Sequence, residues 1–192
     1  MLKPPITAII LAGGKGTRMG GQDKGLMMLK NRPVYLHIID KLQPQVSSIM
    51  INANRNQDIY CQSGYPVFAD LMADYQGPLA GIYSGLYYAK TDWVLFVSCD
   101  TPFLPTNLVD KLWQQMGKHK IAYVYDGERN HPTLMLINKS QITDLKNYLD
   151  NNDRKLQIFL AGQDSIAVDF SEQKLSFTNI NTQEELDYWN KQ

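Results

Sequence analysis

The stretch AIILAGGKGTRMGGQDKGLMML, residues 8–29, carries more information than any other part of the chain. A short apolar run ends abruptly in a loop with glycines at 13, 14, 16, 20 and 21. The same loop holds three cations, Lys15, Arg18 and Lys24, against one acid, Asp23. Glycine lets a backbone turn tightly and bring its N–H groups close to a ligand. Cations beside such N–H groups suit phosphate oxygens. A buried strand leading into a phosphate-binding loop is the opening of an α/β fold, and the rest of the chain can be read outward from it.

Apolar runs without alternation mark strands buried on both faces. Thr7–Leu11, Ile49–Asn52, Val67–Ala69 and Trp93–Ser98 read this way. Helical spacing lies between them over Pro33–Leu42, Gly81–Ala89 and Thr106–Met116. The alternation predicts a three-layer α/β sandwich with a mostly parallel central sheet. After Lys120 the rhythm changes. Ile121–Tyr125 and Thr133–Asn138 read as strands around an Asp126–Pro132 loop. Ser140–Leu149 reads as a helix and Asn151–Arg154 as a turn. Ser165–Phe170 and Phe177–Ile180 are short strand candidates. The last helix begins near Asn181–Thr182, where Thr182 and Glu185 have capping-box spacing. No repeat, low-complexity tract or linker interrupts the sequence, so a single domain over residues 1–192 is expected.

Composition narrows the function classes. The 192 residues, 44% hydrophobic and 20% charged, suit a folded core rather than disorder. Zero net charge argues against a broad nucleic-acid surface. No apolar run approaches the ~20 residues that span a bilayer, and the N-terminal MLKPPITAIILAGG does not read as a signal peptide. Cys61 and Cys99 stand far apart without metal-ligand spacing. Free thiols in a reducing cytoplasm fit them best.

Two common glycine-loop motifs fail by one residue each. A Walker A loop needs lysine after its last glycine, and Gln22 follows Gly21. The dinucleotide fingerprint needs a third glycine three residues after Gly16, and Met19 stands there. LAGGKGTRMG followed by DKGL instead resembles the signature loop of nucleotidyltransferases, in which the loop wraps a nucleotide triphosphate. GGQDKGL is similar to the spelling in the molybdenum cofactor guanylyltransferase family. Asn52–Arg55, Asp74–Gly81, Cys99–Phe103, Asp126–Thr133 and Asn179–Glu185 resemble that family too, in the right order, so the likeness covers essentially the whole chain. It implies a Rossmann-like nucleotidyltransferase fold. The implied reaction moves GMP from GTP to the terminal phosphate of molybdenum-molybdopterin.

The resemblance places Leu11, Ala12, Gly13 and Gly14 around the nucleotide, with Asn52 and Asp70 on its base and ribose side. Gly77, Leu79 and Gly81 would wall the purine. Lys24, Arg18 and Asp100 are the candidate catalytic residues. Fixed cations stabilise charge that shifts at the reacting phosphate, whereas Lys15 could as easily face water. Asp100 follows the strand Trp93–Ser98, and ligands of open α/β sheets bind beyond strand carboxyl ends. One carboxylate is compatible with Mg²⁺, which keeps waters and takes phosphate oxygens as further ligands. On the acceptor side stand Arg129, His131, Asn179 and Asn181. Plainer alternatives remain at this level: Asp70 and Asp100 as turn or capping residues, His131 as a structural histidine, Asn181 as a helix cap.

Implied partners are GTP, molybdenum-molybdopterin, upstream cofactor-synthesis proteins and apo-molybdoenzymes, in the cytoplasm, with neither nucleic acid nor membrane. Two competing readings stay open. One is another nucleotidyltransferase, using CTP or a sugar phosphate; the other is a non-catalytic GTP- or cofactor-binding delivery module.

Overall fold

The computed structural model describes residues 3–12, 14, 21–72 and 77–192. Its elements run β1 (Ile6–Ala12), β2 (Met28–Leu29), β3 (Arg32–Pro33), α1 (Val34–Leu42), β4 (Ser48–Ala53), α2 (Gln57–Cys61), β5 (Val67–Phe68), α3 (Pro78–Tyr88), β6 (Trp93–Ser98), α4 (Leu108–Gln115), β7 (Ile121–Tyr125), β8 (Asn130–Asn138), α5 (Ile142–Asp150), α6 (Leu156–Ala161), β9 (Ser165–Asp169) and α7 (Gln183–Lys191). Seven strands form one sheet in the order β5-β4-β1-β6-β8-β7-β9. All pairings are parallel except those of β8, which runs antiparallel to both β6 and β7. The three-layer, mostly parallel architecture read from the sequence is therefore present.

Strand periodicity divides the core in two. On β1, Ala8, Ile10 and Ala12 face one layer while Ile9 faces the other. On β6, Leu95 and Val97 face the first layer, Val94 and Phe96 the second. Side chains that alternate across a pleat must be apolar on both faces when helices cover both. The first face is covered by α1, α4 and α7, through residues such as Ile38, Leu112 and Leu186. The second is covered by α3, α5 and α6, through Leu86, Leu145 and Phe159. Burying each such side chain stabilises the fold by roughly 1.5–3 kcal/mol before entropy is counted.

The structure departs from the sequence reading in three respects. Phe177–Ile180 is not a strand: Ser171–Phe177 is a 3-10 segment and the chain then runs extended. Phe177 and Ile180 are both buried, but the Ile180 N–H bonds the Asp100 carbonyl at 2.8 Å instead of joining a ladder. The Asp126–Pro132 loop is shorter than expected, because β8 already starts at Asn130. Pairing jumps from Tyr123↔Met135 to Val124↔His131, and the bulge lets Pro132 sit where no ladder N–H is needed. The short helices α2 and α6 and the β2–β3 hairpin had no visible signal. Elements of two to six residues are too short for a hydrophobic period to repeat convincingly.

Helix α7 starts as its capping box predicts. Thr182 Oγ1 accepts from the Glu185 N–H at 3.1 Å, and the Glu185 carboxylate accepts the Thr182 N–H at 3.1 Å and the Asn181 N–H at 2.6 Å. This cap also ties down the segment Asn179–Asn181, which passes beneath the end of β6. Thr182→Ala leaves orphan N–H groups at the helix start, so it is expected to cost about 1 kcal/mol. Urea unfolding checks this through a lower midpoint with an unchanged slope.

Candidate active site

Parallel register aligns the ends of the central strands. Leu11 pairs with Asn52 on one side and with Ser98 on the other. Beyond this row opens a cavity of about 760 Å³, lined by Leu11, Ala12, Gly14, Gln22, Asp23, Lys24, Asn52, Asn54, Asp70, Gly77, Pro78, Gly81, Ser98, Cys99, Asp100 and Thr133. It lies at the carboxyl ends of the strands, where the connections of an open α/β sheet leave a crevice.

Two residues past β6, Asp100 is buried, and its two oxygens are used differently. Oδ1 accepts from Ser98 Oγ at 2.6 Å and from Asn179 Nδ2 at 2.8 Å. Oδ2 accepts from Lys24 Nζ at 3.0 Å. The same Nζ donates to Asn181 Oδ1 at 2.5 Å. Lys24 opens the 3-10 turn Lys24–Leu26 and reaches two segments that follow it by 76 and 157 residues. Asn181 is therefore not the helix cap, a task performed by Thr182, and Asp100 is not a capping residue of α4, whose N-cap is Asn107. Beside Asp100, the Cys99 thiol is held well above its usual pKa by burial and by the adjacent Asp100 charge, so it stays neutral. Both cysteines are free.

Across the cavity, Asp70 accepts from Asn52 Nδ2 at 2.9 Å and from Asn54 Nδ2 at 2.8 Å. Asn54 Oδ1 in turn accepts the Asp70 N–H at 2.8 Å. Asp70 is thus clamped to the end of β4 and is more than a turn residue. Gly81, in the first turns of α3, allows this wall to close: a Cβ there would stand 2.5 Å from Asn52 Oδ1. Gly77 and Gly81 line the cavity, but Leu79 does not; it is fully buried in the second core layer because it points along the opposite face of α3.

Most sequence-derived site residues therefore converge on one cavity: Leu11, Ala12, Gly14, Lys24, Asn52, Asp70 and Asp100. Gly13, Lys15 and Arg18 lie outside the described residues. Asn54, Asp23 and Ser98 also line it without having been singled out. Asn54 had a usable signal, since it stands two residues beyond Asn52 and so on the same side of the chain. Among the described lining residues, three carboxylates face one ammonium group, Lys24. An anionic ligand here needs added positive charge. No group of three or more His, Cys, Asp or Glu side chains could hold a metal by itself among the described residues. Asp100, with a single donor on Oδ2, fits a cation that brings its own water and phosphate ligands.

The acceptor-side candidates divide. Asn179 and Asn181 touch the Asp100–Lys24 pair directly, and Arg129 reaches Asn179 Oδ1 at 3.4 Å with a mostly exposed side chain. His131 is buried, with Nε2 2.6 Å from Asp126 Oδ2 and its ring against Phe177. That supports the structural reading of this histidine. Burial pushes the Asp126 carboxyl up. His131 and the N–H groups of Arg129 and Glu128 outweigh burial and pull it down to about 2.

Because the folded value lies below the ordinary one, the Asp126 carboxylate stabilises the fold above pH ~4, and that contribution fades as pH falls from about 4 toward about 2. Asp126→Asn should be less stable than the parent at neutral pH and lose less stability across that acid window. Urea midpoints at stepped pH measure the difference, and parallel acid limbs would contradict it.

Comparison with known proteins agrees with this arrangement. Residues 8–166 match the MobA-like NTP transferase domain family. The chain is 49% identical over 187 residues to a molybdenum cofactor guanylyltransferase of Serratia proteamaculans, covering 97% of this chain and 95% of that protein. A protein of the same name from Yersinia pseudotuberculosis is 47% identical over 188 residues, with 98% and 96% covered. The fold is shared with the crystal structure of molybdopterin-guanine dinucleotide biosynthesis protein A from Archaeoglobus fulgidus, at a TM-score of 0.79 and 19% identity over 96% of this chain and 97% of that one. With its strand-end cavity and near-full-length identity to these relatives, the chain belongs to the molybdenum cofactor guanylyltransferase family of MobA-like NTP transferases.

Proposed function

We propose that this chain, acting as a single nucleotidyltransferase domain, transfers GMP from GTP to the terminal phosphate of molybdenum-molybdopterin. A phosphate oxygen of the pterin forms a bond to the α-phosphorus of GTP as the bond from that phosphorus to the bridging oxygen of the β-phosphate breaks. Pyrophosphate leaves with the bonding electrons, and a phosphoanhydride joins pterin to GMP. The observation that carries this reading is the Lys24–Asp100 pair at 3.0 Å, set at the strand ends of a cavity large enough for a nucleotide.

The attacking group is a phosphate monoester, whose second pKa is near ~6, so it is already largely dianionic at neutral pH. It has no proton that a general base must remove. The barrier lies in bringing anions together, and this is met by positioning and electrostatics. Lys24 supplies a compact charge to the phosphates. Arg18 is assigned beside it on the family resemblance. Leu11, Ala12, Gly13 and Gly14 hold the nucleotide through the backbone, and Asn52 and Asp70 face its base and ribose. Asp100 would hold Mg²⁺, which when bound neutralises phosphate charge. Asn179, Asn181 and Arg129 are assigned to the acceptor side: Asn179 bonds Asp100, Asn181 accepts from Lys24, and Arg129 donates to Asn179; His131 supports them from the core. No helix among the described residues is long and apolar enough to cross a membrane. The enzyme is read as cytoplasmic, exchanging its cofactor with synthesis proteins and apo-molybdoenzymes.

Asp100→Ala and Lys24→Ala are each expected to lower pyrophosphate release by about 10²–10³-fold, as loss of a preorganised electrostatic group does, while thermal unfolding stays cooperative. Near-parental turnover by either folded variant would remove that residue from the mechanism. With molybdenum-molybdopterin and Mg²⁺ supplied, mass detection of the dinucleotide product should show GTP used far better than CTP or ATP. Equal use of CTP would place the chain with cytidylyltransferases instead.

A further inference from the structure

Asp23 is the one acid of the glycine-rich stretch, and the reaction outlined above gives it no task. Its carboxylate is buried, yet more donors converge on it than on most groups in the molecule. Tyr60 Oη donates at 2.7 Å, Asn56 Nδ2 at 3.0 Å and the Gly25 N–H at 3.3 Å. Arg55 Nε lies 3.8 Å away. The Arg55 guanidinium also donates to the carbonyls of Gly21 at 2.6 Å and Gln22 at 2.9 Å. Residues 55–60 thus grip the backbone on the N-terminal side of Lys24 and, through Asp23, the turn that begins with it.

The grip is anchored in the core. Tyr60 is fully buried on α2, and its ring packs edge-on against Tyr35 of α1 with centroids 4.9 Å apart. Burial, with Cys99 and Asp23 nearby, holds its phenol well above the usual pKa, so it remains a donor. The hydroxyl reaches Asp23 across Gly25, where any Cβ would collide with it. Asp23 caps the turn Lys24–Leu26 by accepting the Gly25 N–H. A flexible lysine on a three-residue turn has many rotamers, and fixing the turn's backbone limits where its ammonium group can go.

We propose that Asp23, held by Tyr60, Asn56 and Arg55, is the positioning assembly that sets Lys24 against Asp100 for nucleotidyl transfer. None of these four residues is assigned a contact with the reacting atoms; they act through Lys24. The inference rests on the nucleotidyl-transfer reading of Lys24.

The test is steady-state kinetics on the full chain with GTP, Mg²⁺ and molybdenum-molybdopterin, using Tyr60→Phe, Lys24→Ala and the double variant. Tyr60→Phe keeps the buried ring and removes only the hydroxyl. It should lower kcat about tenfold and leave KM for GTP within about twofold. In the Lys24→Ala background the same change should cost less than about twofold, because its effect passes through a residue already removed. Asn56→Gly keeps the left-handed backbone at φ 55°, removes a second donor to Asp23 on the exposed side, and should show the same kcat-selective loss. It carries the test if Tyr60→Phe does not fold. Unchanged kcat in the folded variants, a loss confined to KM, or full additivity with Lys24→Ala overturns the proposal. If Lys24→Ala alone keeps parental turnover, the nucleotidyl-transfer role of Lys24 fails and this proposal with it. An inactive Lys24→Ala beside fully active Tyr60→Phe and Asn56→Gly overturns the positioning role only.

Discussion

Parallel pairing of three buried strands is the constraint from which the site follows. When β4, β1 and β6 pair in register, Asn52, Leu11 and Ser98 come to the same level. The polar residues just past that row must emerge together at one end of the sheet. Hydrogen bonding of the ladders cannot slip by one residue without turning each strand's apolar set to the wrong layer. The two core layers therefore hold the site's geometry as firmly as they hold the fold, and the cavity is a by-product of strands that end together.

Charge decides what such a crevice can do. The described lining is richer in carboxylate than in ammonium, which would repel a triphosphate. The arrangement makes sense only if positive charge arrives with the substrate or from the glycine loop. Asp100 and Lys24 at 3.0 Å are then complementary partners held apart from bulk water, each able to engage opposite charge on a metal–nucleotide complex. The surrounding amides of Asn179 and Asn181 let this pair exist in a half-buried setting without unmet hydrogen bonds.

Much of this was legible in the chain itself. Apolar runs without alternation disclosed β1, β4 and β6 because both faces of each are covered, and Leu11, Ala12, Gly14 and Lys24, read from the glycine-rich stretch, do line one cavity. Lys24 and Asp100 were identifiable through the family resemblance, whereas their contact was not, since nothing in local sequence announces a pairing across 76 residues. Leu79 was misplaced because neighbours on a helix face opposite ways. Phe177–Ile180 misled because two buried residues three apart look alike in an extended segment and in a tight turn. Arg55 stood in the family-like segment Asn52–Arg55 but with no role attached, and Tyr60 was invisible: α2 is five residues long, and its importance lies in what it holds rather than in any motif.

The reach of Lys24 has a consequence for how the protein is made. Asn181, which accepts from its ammonium group, is synthesised 157 residues later. The central strands can pair while the chain is still emerging, but the cage around Lys24 closes only when the segment leading into α7 docks beneath β6. Contacts of such sequence separation form late, after the loop-closure entropy has been overcome. A nascent chain that has not yet added Asn179–Asn181 therefore lacks the partners that hold Lys24 and Asp100 at the strand ends, and the lysine and the carboxylate are fixed only as the last segment arrives.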